Sequence, residues 1–202
     1  MIDLGIISED EMIGAFLQAE INGRHEIIKN IIMKKLEMYK QGRDIIDDPK
    51  YDIPEINKIR KEILAVRGYP NTHLFTNFPA NMVWHRVLIG IKELKNIQYL
   101  SDKEGLLPLT GTRSPGAFAV KIKGDPKKPQ HLPYLEAAEK IKRGNAFTEM
   151  ILVARNADPG SNVVTLEGNL RITAYMLAFE YIKKEVKAII GYSEDIKKWD
   201  CY

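Results

Sequence analysis

Val163-Val-Thr-Leu-Glu-Gly-Asn-Leu-Arg-Ile-Thr-Ala-Tyr175 decides the reading of this chain. Val163 to Leu166 are four β-favouring residues that run straight into Glu167-Gly168-Asn169, and helical spacing begins there with Arg171 in the first turn. A strand that breaks at a glycine and opens a helix makes an anion trap. The first amides of the helix lack intrahelical acceptors, the helix dipole favours negative charge, and glycine admits a close approach of the backbone. Arg171 can add a planar fork for phosphate oxygens. Glu167, at the strand tip, is a candidate base or metal ligand.

Blander readings stand beside each of these. Arg171 can instead form an ion pair with Glu167 or Glu180. Thr173, one turn into the helix, can donate to a phosphate or back-bond within the helix. A glycine at a helix start is by itself often only a turn residue.

Working outward, the residues before the turn continue a mixed pattern. Residues 132–144, beginning Leu132-Pro133 and ending at Gly144, predict a short helix. Residues 169–183 predict a helix packing Ile172, Tyr175, Met176 and Phe179 on the sheet. Phe118 to Ile122 alternates weakly and is expected to open this unit as its first strand.

The amino-terminal side reads differently. Ser8-Glu-Asp-Glu11 is a capping box, and Met12, Ile13, Phe16, Leu17 and Ile21 follow at helical spacing. Ile27, Ile28, Ile31, Ile32, Leu36 and Tyr39 continue as a second amphipathic helix, or as one long helix bent near Gly23. Residues 42–52 read as a loop, and Pro54 suits the first turn of a third helix, where its missing N–H costs nothing. A further helix is expected from Pro79 through Ile89, a helical turn at 92–96, a short strand at 97–100, and irregular chain over residues 107–116.

The motif and its surroundings resemble the ParB/sulfiredoxin superfamily, whose phosphate-binding motif is an acidic residue or Gly, then Gly, two variable residues and Arg, followed by a helix with small residues. Here that is Glu167-Gly168-Asn169-Leu170-Arg171, with Thr173-Ala174 behind it. The resemblance covers roughly residues 117 to 192 and implies strands at Glu149 to Arg155 and Val186 to Ile190. It implies an α+β protein: a mainly helical region at 1–116, then a ParB/sulfiredoxin-like α/β domain with a small mixed sheet at 117–202. It also implies ATP or CTP with Mg²⁺ as ligand, Glu167 and Arg171 as catalytic groups, Glu167 as metal ligand, and phosphate contacts from Gly168, Asn169, Leu170, Arg171 and Thr173. His131, before the Leu132 helix, borders the expected pocket, although an exposed capping histidine is its simpler reading. Thr110-Gly-Thr-Arg-Ser114 is a candidate for a second phosphate contact, and a plain loop otherwise.

Departures from the pattern matter. Sulfiredoxin-like members carry a catalytic Cys where this chain has Asn169, so sulfinic-acid repair is excluded. Several members carry His or Arg at the positions of Asn169 and Leu170, and losing them favours nucleotide binding over turnover. The expected function is therefore nucleotide binding, extending to phosphotransfer or hydrolysis. A DNA-binding or DNA-cleaving protein is the alternative, against which no helix-turn-helix follows the motif. A non-catalytic interaction protein, pairing with itself through the helical region, is the third.

Composition bounds the rest. The chain has 202 residues, 45% hydrophobic and 28% charged, with a formal charge of +3. Those proportions are ordinary for a globular protein, and the charge permits nucleic acid without arguing for it. No apolar run approaches the ~20 residues of a membrane span. The start lacks the basic and apolar regions of a signal peptide, and the single Cys201 permits no internal disulfide, so a cytoplasmic location is expected.

Overall fold

The computed structural model describes residues 1–101, 106–145, 147–182 and 184–202. Its centre is one six-stranded mixed sheet built from β1 (Ile2–Ile7), β2 (Val83–Ile89), β3 (Ile97–Tyr99), β4 (Met150–Ala154), β5 (Val163–Glu167) and β6 (Val186–Tyr192). The spatial order is β1-β2-β6-β4-β5-β3. β1/β2, β2/β6 and β4/β5 are antiparallel, whereas β4/β6 and β3/β5 are parallel.

Both faces of the sheet are covered except at the edge strand β1, which is exposed. On one lie α1 (Glu9–Ile21), α2 (Glu26–Met38), the single turn α3 (Asp44–Asp47) and α4 (Pro54–Leu64). Met12, Phe16, Leu17 and Ile32 there meet Ile151, Val153, Val164, Leu166 and Ile189 from the strands. On the other face lie α7 (Pro115–Gly124), α8 (Leu132–Lys142) and α9 (Asn169–Leu177), packed against Val87, Tyr99, Met150, Leu152 and Ile190. All five residues of β4 are buried, as a strand covered on both faces requires. Short helices α5 (Ile91–Leu94) and α6 (Leu106–Thr110) fill connections.

The local signals explain most of these elements. Ser8 and Glu11 form the full reciprocal capping box of α1, and Pro54 opens α4. Arg60, fully buried in α4, donates to the carbonyls of Ile45 and Lys50 at 3.0 and 2.8 Å and so ties the 42–52 loop to the helices. In β6, Gly191 pairs with Trp84, and a Cβ there would lie 2.6 Å from the indole ring. The glycine is what lets Trp84 lie flat across the strand.

Several expectations are corrected. Val83 to Ile89 is a strand, not the end of a helix beginning at Pro79. Trp84 packs on the α1 side while Val87 and Ile89 pack on the α9 side, a two-faced pattern that a helix periodicity misreads. Phe118 to Ile122 is helical. Ser114 accepts from the Ala117 amide as N-cap and Pro115 takes the first turn, so Phe118, Ala119 and Ile122 form a buried helical face. The first residues form β1, and their Ile2-Asp-Leu-Gly-Ile6 alternation is a strand signal that the helical reading of the region passes over. The amino-terminal region is thus not only helical: it supplies β1, β2 and β3, and the expected boundary at residue 117 falls inside α7. The motif helix ends at Leu177, short of the expected residue 183; Lys183 lies outside the described residues.

Candidate functional site

The turn between β5 and α9 has the geometry that the sequence suggests. Gly168 adopts φ +114° and ψ 21°, in the left-handed region. A Cβ there would stand 2.9 Å from Met150 Cγ, so both conformation and space require glycine. No side chain caps α9, and Ile172 is the first residue whose N–H finds a helical acceptor, the Gly168 carbonyl at 2.9 Å. The amides of Asn169 and Leu170 therefore open on a half-buried helix start.

Arg171 behaves differently from a free clamp. A helix-start arginine at a ligand site is expected to face solvent, yet Arg171 is 7% exposed. Its Nη1 donates to the carbonyls of Thr148 and Glu149 at 2.8 and 2.9 Å and to Thr148 Oγ1. Its Nη2 donates to Glu167 at 3.0 Å. Of the two ion pairs open to it, the one with Glu167 forms. The guanidinium staples the segment entering β4 to the motif turn.

Thr173 is fully buried, donates to the Asn169 carbonyl at 2.7 Å and bonds Tyr99 Oη. It back-bonds and lies beneath the turn. His131 is neither exposed nor at the turn. It is 4% exposed, its Nδ1 bonds the Asp125 carbonyl at 2.7 Å, and its ring meets Phe118 edge-on. The structure thus brings Glu167, Gly168, Asn169, Leu170 and Arg171 together and leaves His131 apart. The Thr110–Ser114 turn lies beside β3: the Arg113 carbonyl accepts from the Tyr99 amide, and Tyr99 pairs with Thr165, three residues before Gly168. Roughly 10 Å of strand separates that pairing from Gly168.

Two residues at the turn were not read from the sequence. Glu20, in the last turn of α1, is 3% exposed. Arg67 Nε lies 2.9 Å from its Oε1, but neither atom makes an aligned hydrogen bond. The Glu20 carboxyl is pushed up to about 7, chiefly by burial, which outweighs the opposing Arg67 and Arg171, with Glu167 adding to the rise. Glu20, Glu167, Arg67 and Arg171 form one electrostatic group of two carboxylates and two guanidiniums. Glu20 stands four residues beyond Phe16 and three beyond Leu17, on the apolar face of α1, and a carboxylate in that position is a readable signal of a buried charge. Nothing comparable marks Arg67. A second group adjoins the first: Arg86 pairs with Glu149 at 2.9 Å and lies 3.6 Å from Glu11, and the Glu149 carbonyl is the one that Arg171 holds.

Among the described residues, no group of three or more His, Cys, Asp or Glu is placed to hold a metal ion by itself. No described helix is long and apolar enough to cross a membrane. No family model, curated protein or solved structure matches this chain.

Proposed function

We propose that the chain binds a nucleotide through its phosphates at the start of α9, and that phosphoryl transfer or hydrolysis is the chemistry its side chains can assist. One observation carries the reading. The uncapped amides after Gly168 follow directly on Glu167, whose charge acts on a buried carboxylate, Glu20, one of whose oxygens makes no aligned hydrogen bond. Helix-start amides supply anion contacts, and Arg67, paired with Glu20 through Nε and about a quarter exposed along its side chain, is the cation that would be shared with a phosphate. Arg171 contributes its charge from behind the turn and holds Glu167 in place.

Magnesium fits this donor set only in company, since it takes one or two carboxylates plus substrate phosphates, and Glu167 with Glu20 would supply the carboxylates. Such positioning and charge stabilisation are most of what phosphoryl transfer asks of a protein.

A thermal-shift panel with ATP, CTP and duplex DNA, each with and without Mg²⁺, tests the reading. At a hundred times Kd, a bound nucleotide stabilises by about 2.7 kcal/mol, or roughly 5–10 °C for a chain of this size. Gly168→Ala should abolish the shift by closing the turn, and Arg67→Gln, at a partly exposed side chain, should weaken it without unfolding the protein. A shift with DNA alone would favour the DNA-binding alternative.

A second reading, a docking protein that pairs with its own copy, rests on α2. Opposite the buried Ile32 and Leu36, this helix exposes Ile27 (77%) and Met38 (64%), with Ile31 between them. No response to any nucleotide, with a dimer in light scattering, would favour it.

A further inference from the structure

The edge of the sheet opposite the motif turn holds a cavity of about 580 Å³ where β3 and β5 begin. We propose that this cavity is a second, independent binding site, for a phosphorylated sugar.

Charge comes first. Lys95 and Arg113 both line the cavity, and among the described lining residues there is no carboxylate. Neither cation pairs with an Asp or Glu side chain among the described residues. Lys95 Nζ lies over the Phe179 ring, 4.2 Å from its centroid. Arg113 donates Nε to the Tyr99 carbonyl at 2.9 Å and Nη1 to the main-chain oxygen of Tyr202 at 3.1 Å. Its planar group is fixed by backbone, and its Nη2, a buried atom, has no acceptor among the described residues. Two cations in one concave site without a lining Asp or Glu favour an anion, and a fixed guanidinium loses little freedom on binding it.

The hydroxyl groups are set as donors. Thr112 Oγ1 accepts from the Ser114 amide at 3.1 Å, and Ser114 Oγ accepts from the Ala117 amide at 3.2 Å. Each oxygen has a lone pair engaged by backbone, which leaves its own O–H to donate outward. Ser161 adds a third hydroxyl to the lining.

Size and lining then select the rest of the ligand. A cavity of this volume is in the range of small-molecule sites and exceeds a bare phosphate. Its other walls carry the side-chain amides of Asn96, Gln98 and Asn162, which both donate and accept, as sugar hydroxyls do. No aromatic ring lines it among the described residues, so a nucleobase would have nothing to stack on.

The test is an amide-resolved titration of ¹⁵N-labelled protein with ribose 5-phosphate, ribose and inorganic phosphate. Ribose 5-phosphate should shift the amides of Thr112, Ser114, Gly160 and Ser161 saturably, with Kd at or below about 1 mM. Ribose and phosphate alone should each bind at least ten-fold more weakly. Lys95→Glu, an exposed position, should weaken ribose 5-phosphate ten-fold or more with Tm unchanged, and Gln98→Ala should weaken the sugar phosphate but not phosphate alone. Shifts confined to residues 167–171, unchanged affinity in Lys95→Glu, phosphate alone binding as tightly as the sugar phosphate, or no saturable response would each overturn the proposal. Because the motif turn lies at the far end of β5, its own ligand binding succeeds or fails separately.

Discussion

Arg171→Ala is expected to lower stability by about 3–5 kcal/mol, the range for breaking a buried ion pair and leaving its partner uncompensated. The side chain is buried and holds two backbone carbonyls, the Thr148 hydroxyl and Glu167. Removing it strands these acceptors at the entry to β4, the fully buried central strand. For a chain of this length, the loss corresponds to a fall in Tm of roughly 6–20 °C. Arg171→Lys should recover only part, because an ammonium cannot span the same acceptors in one plane. Denaturant melts of the two variants check this. A ligand clamp without a structural part would behave in the opposite way, with unchanged melts and lost affinity.

Glu20 should make stability fall as pH rises toward neutrality. Its carboxyl goes from an ordinary 4.5 to about 7 in the folded protein, first because burial penalises the charge. A raised acid favours folding fully below the unfolded value, and that contribution is lost as pH rises from about 4.5 through 7. The charges facing it are Arg67 from the turn after α4, Glu167 from β5 and Arg171 from α9. A shift of this size corresponds to about 3 kcal/mol at most. Glu20→Gln, which carries no charge at any pH, removes the dependence. Melts at pH 5, 6, 7 and 8 should show the wild type losing stability relative to Glu20→Gln, with most of the loss below pH 7.5. Parallel curves for the two proteins would mean that Glu20 is charged in the fold at every pH tested.

The half of the chain containing the motif was largely legible because its signals are local. Val163 to Leu166 favour strand, Gly168 is forced by its conformation, and Leu132-Pro133 through Gly144 begins and ends a helix on its own residues. β2 was not legible for a physical reason. Its residues divide between two different cores, so the alternation is not one of apolar and polar, and Pro79 upstream imitates a helix start. α7 was misread because Phe118-Ala-Val-Lys-Ile122 contains both a weak alternation and a helical spacing, and the Ser114-Pro115 cap decides between them. At the site, sequence locates the turn but not what surrounds it. Glu20 lies 147 positions before Glu167 and acts on it because α1 packs across β4, and Arg67, 100 positions before it, joins by pairing with Glu20. The bonds of Arg171 to Thr148 and Glu149 span only 23 and 22 positions, but they cross two strands and leave no periodic trace.

The central claim is that the amides opened by Gly168 receive a phosphate. Titrating ¹⁵N-labelled protein with ATP and with CTP, in the presence of Mg²⁺, while following the amides of Asn169 and Leu170, tests it most directly. The account predicts large, saturable shifts at these two amides with at least one nucleotide, absent in Gly168→Ala. Nucleotide binding that leaves both amides unmoved, or no binding by either nucleotide, would contradict it.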